Sequence, residues 1–132
     1  MQLPQFLIPQ SEIKANGASA AIPLTSHPLL QITLMIESVV EQQSLDIHIE
    51  GSADGATWIE KPLAAFPQKF YAGPSVILCD LSKHPEINYI RASWKVHRWG
   101  RGEHTPHFHL YLFAESLQLA ATTAASAPSG LN

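Results

Sequence analysis

The residues best suited to chemistry in this sequence are its histidines. Seven occur, and His97, His104, His107 and His109 crowd one short span. On an extended backbone His107 and His109 point to the same side, about 7 Å apart along the strand. His97 lies on the non-core side of the preceding periodic segment. If the two segments pair around the 99–106 loop, His97 comes beside that couple, and three imidazoles plus a water form a tetrahedral zinc site. A ligating imidazole also needs an acceptor for its other nitrogen, and Glu103 is the only acid close in sequence. The simpler expectation is polar residues on a solvated or subunit-facing sheet. No metal and no cofactor is therefore assigned, and His97, His107 and His109 stand as the ligand candidates.

Other catalytic groupings are missing. Asp46 and Glu50 fall on the exposed side of one strand with no neighbour in sequence to shift their pKa. The chain has no G-x-S-x-G elbow, no G-x-x-x-x-G-K-[ST] phosphate loop and no G-x-G-x-x-G. Cys79 is the only cysteine, so no intrachain disulfide forms. It sits in the apolar run 76–81, which reads as a strand buried on both faces with the thiol as a small hydrophobe. The expectation is no catalytic residue and no enzyme.

The elements that must position these side chains follow a period of two. Leu30, Ile32, Leu34 and Ile36 alternate with Gln31, Thr33, Met35 and Glu37. Leu45, Ile47 and Ile49 alternate with Asp46, His48 and Glu50, and Ile90, Ala92, Trp94 and Val96 with Arg91, Ser93, Lys95 and His97. Phe108, Leu110 and Leu112 alternate with His107, His109 and Tyr111. Such one-sided segments are half-buried antiparallel strands. Leu34, Ile47, Trp94 and Leu110 should face inward, and His48, Lys95 and His109 outward. Shorter strands are expected over 12–16, 18–24, 57–63 and 76–81. Asn16-Gly17, Asp54-Gly55, Gly73-Pro74 and Gly100-Arg101-Gly102 supply the turns, the last as a hairpin tip. The fold expected is all-β: an antiparallel, jelly-roll-like sandwich of about eight strands.

The 132 residues suit one domain. Its expected limits are 12–115, with an extended arm at 1–11 and an Ala/Ser/Thr-rich tail at 116–132; a short helix over 115–121 is the lesser alternative for the start of the tail. Only 14% of residues are charged, against roughly 25% in ordinary soluble domains, which suits a surface partly covered by a partner. The net charge of −3, with no Lys/Arg stripe, argues against nucleic acid. No apolar run approaches the roughly 18 residues of a membrane span. No positive side chain precedes Lys14, so no secretory signal is expected, and synthesis in the cytoplasm is.

Several stretches together carry a resemblance: residues 15–24, then 44–58 with its Ser52-Ala53-Asp54-Gly55-Ala56-Thr57-Trp58, then 89–96, then Thr105-Pro106-His107-Phe108-His109-Leu110. Their order resembles small β-sandwich structural proteins of tailed phages and prophages, found among virion, decoration and tail-associated components. It covers roughly residues 12–114. The sequence departs from the pattern at His107 and His109 and in an insertion at 99–103. The resemblance implies particle assembly, with self and other particle proteins as partners and the virion as location. Asp-Gly followed by Trp also occurs in carbohydrate-binding sandwiches, which makes a glycan-binding module the alternative.

Contact residues follow from residue type. Trp58, Tyr71, Trp99 and Tyr111 suit a sugar platform, whereas Trp94 is assigned to the core by its alternation. Trp99 beside Arg98 and Arg101 at a loop tip is the strongest contact candidate, since Trp and Arg concentrate binding energy at interfaces. In the arm, Leu3, Phe6, Leu7 and Ile8 have nothing obvious of their own to pack against. The arm, extended by Pro4 and Pro9, is expected to cross to a neighbouring subunit, with Leu3, Phe6 and Ile8 in contact; folding back along its own sheet edge is the alternative.

Overall fold

A computed structural model describes residues 1–100, Gly102 and 105–117. Among the described residues nine strands form: β1 (Gln5–Ile13), β2 (Gly17–Ala18), β3 (Ile22–Pro23), β4 (Leu29–Val39), β5 (Gln43–Ser52), β6 (Ala64–Ala65), β7 (Gly73–Asp80), β8 (Tyr89–Arg98) and β9 (Phe108–Ser116). The first sheet has the order β1-β9-β4-β7 and the second β2-β8-β5-β6, with β3 also on β8. Every strand pairing is antiparallel. Because β2 and β3 share one place beside β8, nine strands fill eight positions, and this order is that of a jelly roll.

The alternating segments produce the core. Leu30, Ile32, Leu34 and Ile36 on β4 face Leu45, Ile47 and Ile49 on β5 and Ile90 and Ala92 on β8, all essentially without solvent contact. Leu110, Leu112 and Ala114 complete the first sheet's inner side. The expected faces hold for Leu34, Ile47 and Leu110 inward and for Lys95 and His109 outward; His48 is outward but half-buried. Trp94 lies opposite Ile47 on the inner side but is only half-buried, because its ring reaches the sandwich margin under Gly17. Its indole N–H donates to the Ala15 carbonyl at 3.0 Å.

Several expectations are corrected. Consecutive long strands lie in opposite sheets, so β4–β5, β7–β8 and β8–β9 are joined by corners and not by hairpins. Gly100 and Gly102, at φ 104° and 81°, bend such a corner. The segment 1–11 is no separate arm before a domain starting at residue 12: β1 pairs with β9 of its own chain from Gln5 to Ile13. Leu7 and Ile8 are both buried, which register shifts on either side of Ile8 permit, and those shifts erase the period of two from the sequence. Leu3 packs against the core. Ile8 is therefore a core residue, not a contact.

The run 76–81 is not a strand buried on both faces: 76–80 end the edge strand β7, with Val76 and Leu78 54% and 55% exposed and Cys79 buried, and Leu81 begins a 3-10 turn. Residues 57–63 form no strand. They follow β5 irregularly, with the Ile59 and Leu63 amides donating to Gly51 and Ile49, and Pro62 has no amide to extend the ladder. Glu115 and Ser116 end β9 and do not begin a helix; Arg101, Glu103, His104 and 118–132 lie outside the described residues.

Candidate assembly surface

Across the middle of the first sheet the outward side chains form an apolar band from one edge to the other, with Gln31, Glu37, His109 and Glu115 toward the strand ends. Thr33 on β4 is flanked by Val76 on β7 and Phe113 on β9, and Met35 by Pro74 and Tyr111. Phe6 on β1 lies opposite Phe113. Its ring meets those of Tyr111 and Phe113 edge-on at 5.9 and 6.0 Å, while Tyr111 and Phe113 stack at 6.1 Å. Phe6 stays 53% exposed. Beside it Pro4, Gln5, Tyr111 and Phe113 frame an apolar depression of about 320 Å³. Scattered exposed hydrophobes are ordinary on a protein surface, but a band continuous over four strands exceeds that scatter and is the candidate contact surface.

Polar pairs rim this band. The His107 Nδ1 and His109 Nε2 atoms both approach one oxygen of Glu12, at 3.0 and 3.2 Å, and Lys14 reaches the other at 3.3 Å. The His107 bond, with Lys14 beside it, holds the Glu12 carboxyl below its ordinary range. His97 does not join them. It belongs to β8, in the other sheet, and stacks on Trp99 with ring centres 5.8 Å apart. Among the described residues no set of three or more His, Cys, Asp or Glu side chains is placed to hold a metal ion.

The corner residues form a second surface. Trp99, 41% exposed, packs edge-on against Phe70 at 6.4 Å, and the largely exposed Tyr71 meets Phe70 at 6.3 Å. With Val39, Val40 and Gln42 these rings line a depression of about 410 Å³. The Trp99 amide donates to the Gln42 carbonyl at 2.8 Å, and Arg98 Nε reaches the Glu41 carbonyl at 3.4 Å. Beneath, the buried Gln43 clamps the backbone of His107: its amide nitrogen donates to the His107 carbonyl at 2.6 Å and its oxygen accepts from the His107 N–H at 2.7 Å. This clamp ties the start of β5 in one sheet to the start of β9 in the other.

The four rings suited to a sugar platform are thus dispersed. Tyr71 and Trp99 share the corner, Tyr111 lies on the first sheet, and Trp58 covers the Arg91 guanidinium at 4.2 Å on the second. Arg91 Nε in turn donates to Glu50 at 2.7 Å, and His48 Nε2 lies 3.1 Å from the other Glu50 oxygen. Burial acts to raise the Glu50 pKa, but the Arg91 and His48 bonds outweigh it and the carboxyl lies below its ordinary range. Asp54 orders its loop by accepting from the Ala56 and Thr57 amides, each at 2.8 Å. Those bonds hold its carboxyl low as well.

Sequence reasoning missed Phe113, Val76 and Leu78. Phe113 continues the outward parity of Tyr111 and was within reach of the same pattern. Glu12 was not, since it meets the histidines from 95 residues away.

No protein-family model matches the chain, and no curated protein matches it. Solved structures do. A chain in the structure of infectious bursal disease virus, Gx strain, matches over 84% of this chain with a TM-score of 0.53 and 13% identity. One from the Gt strain matches over 86% with a TM-score of 0.52 and 12% identity. This chain spans about a third of their length, 32% and 33% respectively. At such identities the likeness shows the β-sandwich fold. Among the described residues no helix is long and apolar enough to cross a membrane.

Proposed function

We propose that the chain is a non-enzymatic structural or decoration subunit of a self-assembling particle, acting through protein–protein contacts. The observation that carries this is the apolar outer side of the first sheet, with Phe6, Tyr111, Phe113, Met35 and Val76 in one continuous band. Burying it against other copies removes apolar area from water at about 25 cal/mol per Å². A fold shared with chains of a virus supports the reading. The phage origin rests on the motif order around Asp54-Gly55 and Trp58. Location in the assembled particle and a lack of nucleic-acid or membrane partners belong to the same proposal, as do Phe6, Arg98, Trp99 and Arg101 as contact residues; Arg101 lies outside the described residues.

The test is native mass analysis of the purified chain and of a Tyr111→Lys/Phe113→Lys variant, whose two positions are outward. The wild type should run well above the monomer mass and the variant at it. A wild type that stays monomeric at high concentration, alone and with its particle partners, would sink the proposal. A second reading, glycan binding, is favoured by the clustering of Trp99, Phe70 and Tyr71 around one depression. It calls for a monomer that shifts on a glycan array and loses the shift in Trp99→Ala.

A further inference from the structure

We propose that the open edge of the first sheet, strand β7, pairs antiparallel with β7 of a second copy of this chain. The inference deepens the assembly reading and rests on it for the existence of self-association. It names the contact.

Backbone parity identifies which groups are free. Along an antiparallel strand the N–H and C=O of one residue point to the same side, and successive residues alternate. The Leu117 amide donates to the Leu29 carbonyl at 2.8 Å, so Leu29 faces β9, and Leu30, Ile32, Leu34 and Ile36 face β7. The Leu81 amide donating to the Pro28 carbonyl at 3.0 Å fixes the same parity independently. The register partners of those β4 residues, Cys79, Ile77, Ser75 and Gly73, spend their backbone groups on β4. Val76 and Leu78 therefore direct both backbone groups away from the sheet, Asp80 its N–H and Pro74 its carbonyl. The Asp80 carbonyl turns into the 3-10 turn 81–83 that it begins, so the groups left open are the N–H and C=O of Val76 and Leu78, the Asp80 N–H and the Pro74 carbonyl.

The other edges are defended. β1 carries Pro9, two register shifts and the charged Glu12. β2, β3 and β6 are two residues each. β7 instead offers eight residues in unbroken register, uncharged from Gly73 to Cys79.

That edge is its own complement. With Ile77 on a two-fold axis, Val76 exchanges backbone bonds with Leu78 of the second copy, and Asp80 falls opposite the Pro74 carbonyl of the second copy. No two like charges meet. The exposed Val76 and Leu78 side chains become cross-strand neighbours on the outer side. The pairing joins the apolar bands of two sheets into one.

The experiment is amide hydrogen exchange of the full chain at increasing concentration, read beside native mass and repeated with Val76→Pro. Proline at 76 removes an outward N–H and leaves the bonds of Ser75 and Ile77 to β4 in place. Val76 and Leu78 amides should exchange freely in dilute protein and become protected as dimer forms, while Ile77 and Cys79 are protected throughout. Val76→Pro, with an unchanged circular dichroism spectrum, should weaken association by about tenfold or more. Association that persists with Val76 and Leu78 amides unprotected overturns the edge contact and leaves the assembly reading standing. Protection of those amides in a monomeric sample also overturns it. A chain that never associates removes the assembly reading itself.

Discussion

Replacing Gln43 by Met tests whether the two sheets are clamped where the structure places the clamp. Gln43 is 1% exposed and makes both of its amide bonds to His107, at 2.6 and 2.7 Å. Met conserves the apolar volume and removes both partners. The His107 N–H and C=O are then left without partners in a half-buried corner, each at a cost of about 1–3 kcal/mol when water cannot reach it. Partial access of water at His107 puts the expected loss at about 2–3 kcal/mol. For a domain of this size each kcal/mol lowers Tm by about 3–5 °C, so a fall of about 6–15 °C is expected. Urea unfolding at constant m-value is the assay. Gln43→Glu sharpens it: the carboxylate still accepts from the His107 N–H but cannot donate to its carbonyl, so part of the deficit should return on protonation in acid. A Gln43→Met protein within about 0.5 kcal/mol of wild type would show that the clamp contributes nothing beyond geometry.

Three further outcomes are expected. Gly17→Ala places a methyl 2.9 Å from Trp94 Cζ2 and displaces the ring from its bond to Ala15; a loss of about 1–3 kcal/mol and a changed tryptophan emission should follow, and an unchanged emission would contradict the packing. The Glu12 carboxyl, held low first by His107, should titrate below the ordinary glutamate range by NMR and move up in His107→Ala. Because that folded-state pKa is depressed, its stabilising effect is present above the ordinary glutamate pKa and is lost as pH falls through the folded value. Burial pushes the Cys79 thiol up to about 11, so it should resist thiol reagents in the native chain and react on unfolding; fast native labelling would place β7 differently.

Much of the sandwich was legible because β4, β5, β8 and β9 obey a strict period of two, and that period assigns each side chain to the inside or the outside. It does not say which sheet a strand joins. Gly100 and Gly102 have the chemistry of a hairpin tip, yet the same positive φ serves a corner between sheets. That ambiguity alone separated His97 from His107 and His109. In β1 the bulges around Ile8 hid a strand behind two prolines and a broken alternation. In 76–81 an uninterrupted aliphatic run looked buried on both faces, where one face is in fact outward on an edge.

The two outer faces of the sandwich argue most directly for what the apolar band is for. Both are equally removed from the core, so neither has a folding reason to be apolar. On the second sheet the outward positions of β5 and β8 are Asp46, His48, Glu50, Arg91, Ser93, Lys95 and His97, and polar partners meet them: Gln68, from the segment after β6, donates to Asp46 at 3.0 Å and Arg91 to Glu50 at 2.7 Å. On the first sheet the outward positions at mid-strand are Thr33, Met35, Tyr111, Phe113, Val76 and Leu78, and the polar Gln31, Glu37, His109 and Glu115 stand only toward the strand ends. Core formation fixes only the inward residues and leaves the outward ones open to polar substitution. One face accepted such residues throughout, and the other kept aromatic and aliphatic side chains across its middle to the uncharged 73–79 stretch of the β7 edge. Under the proposed assembly reading, that asymmetry supplies a side suited to solvent and a side suited to neighbours, the minimum needed for assembly in one orientation.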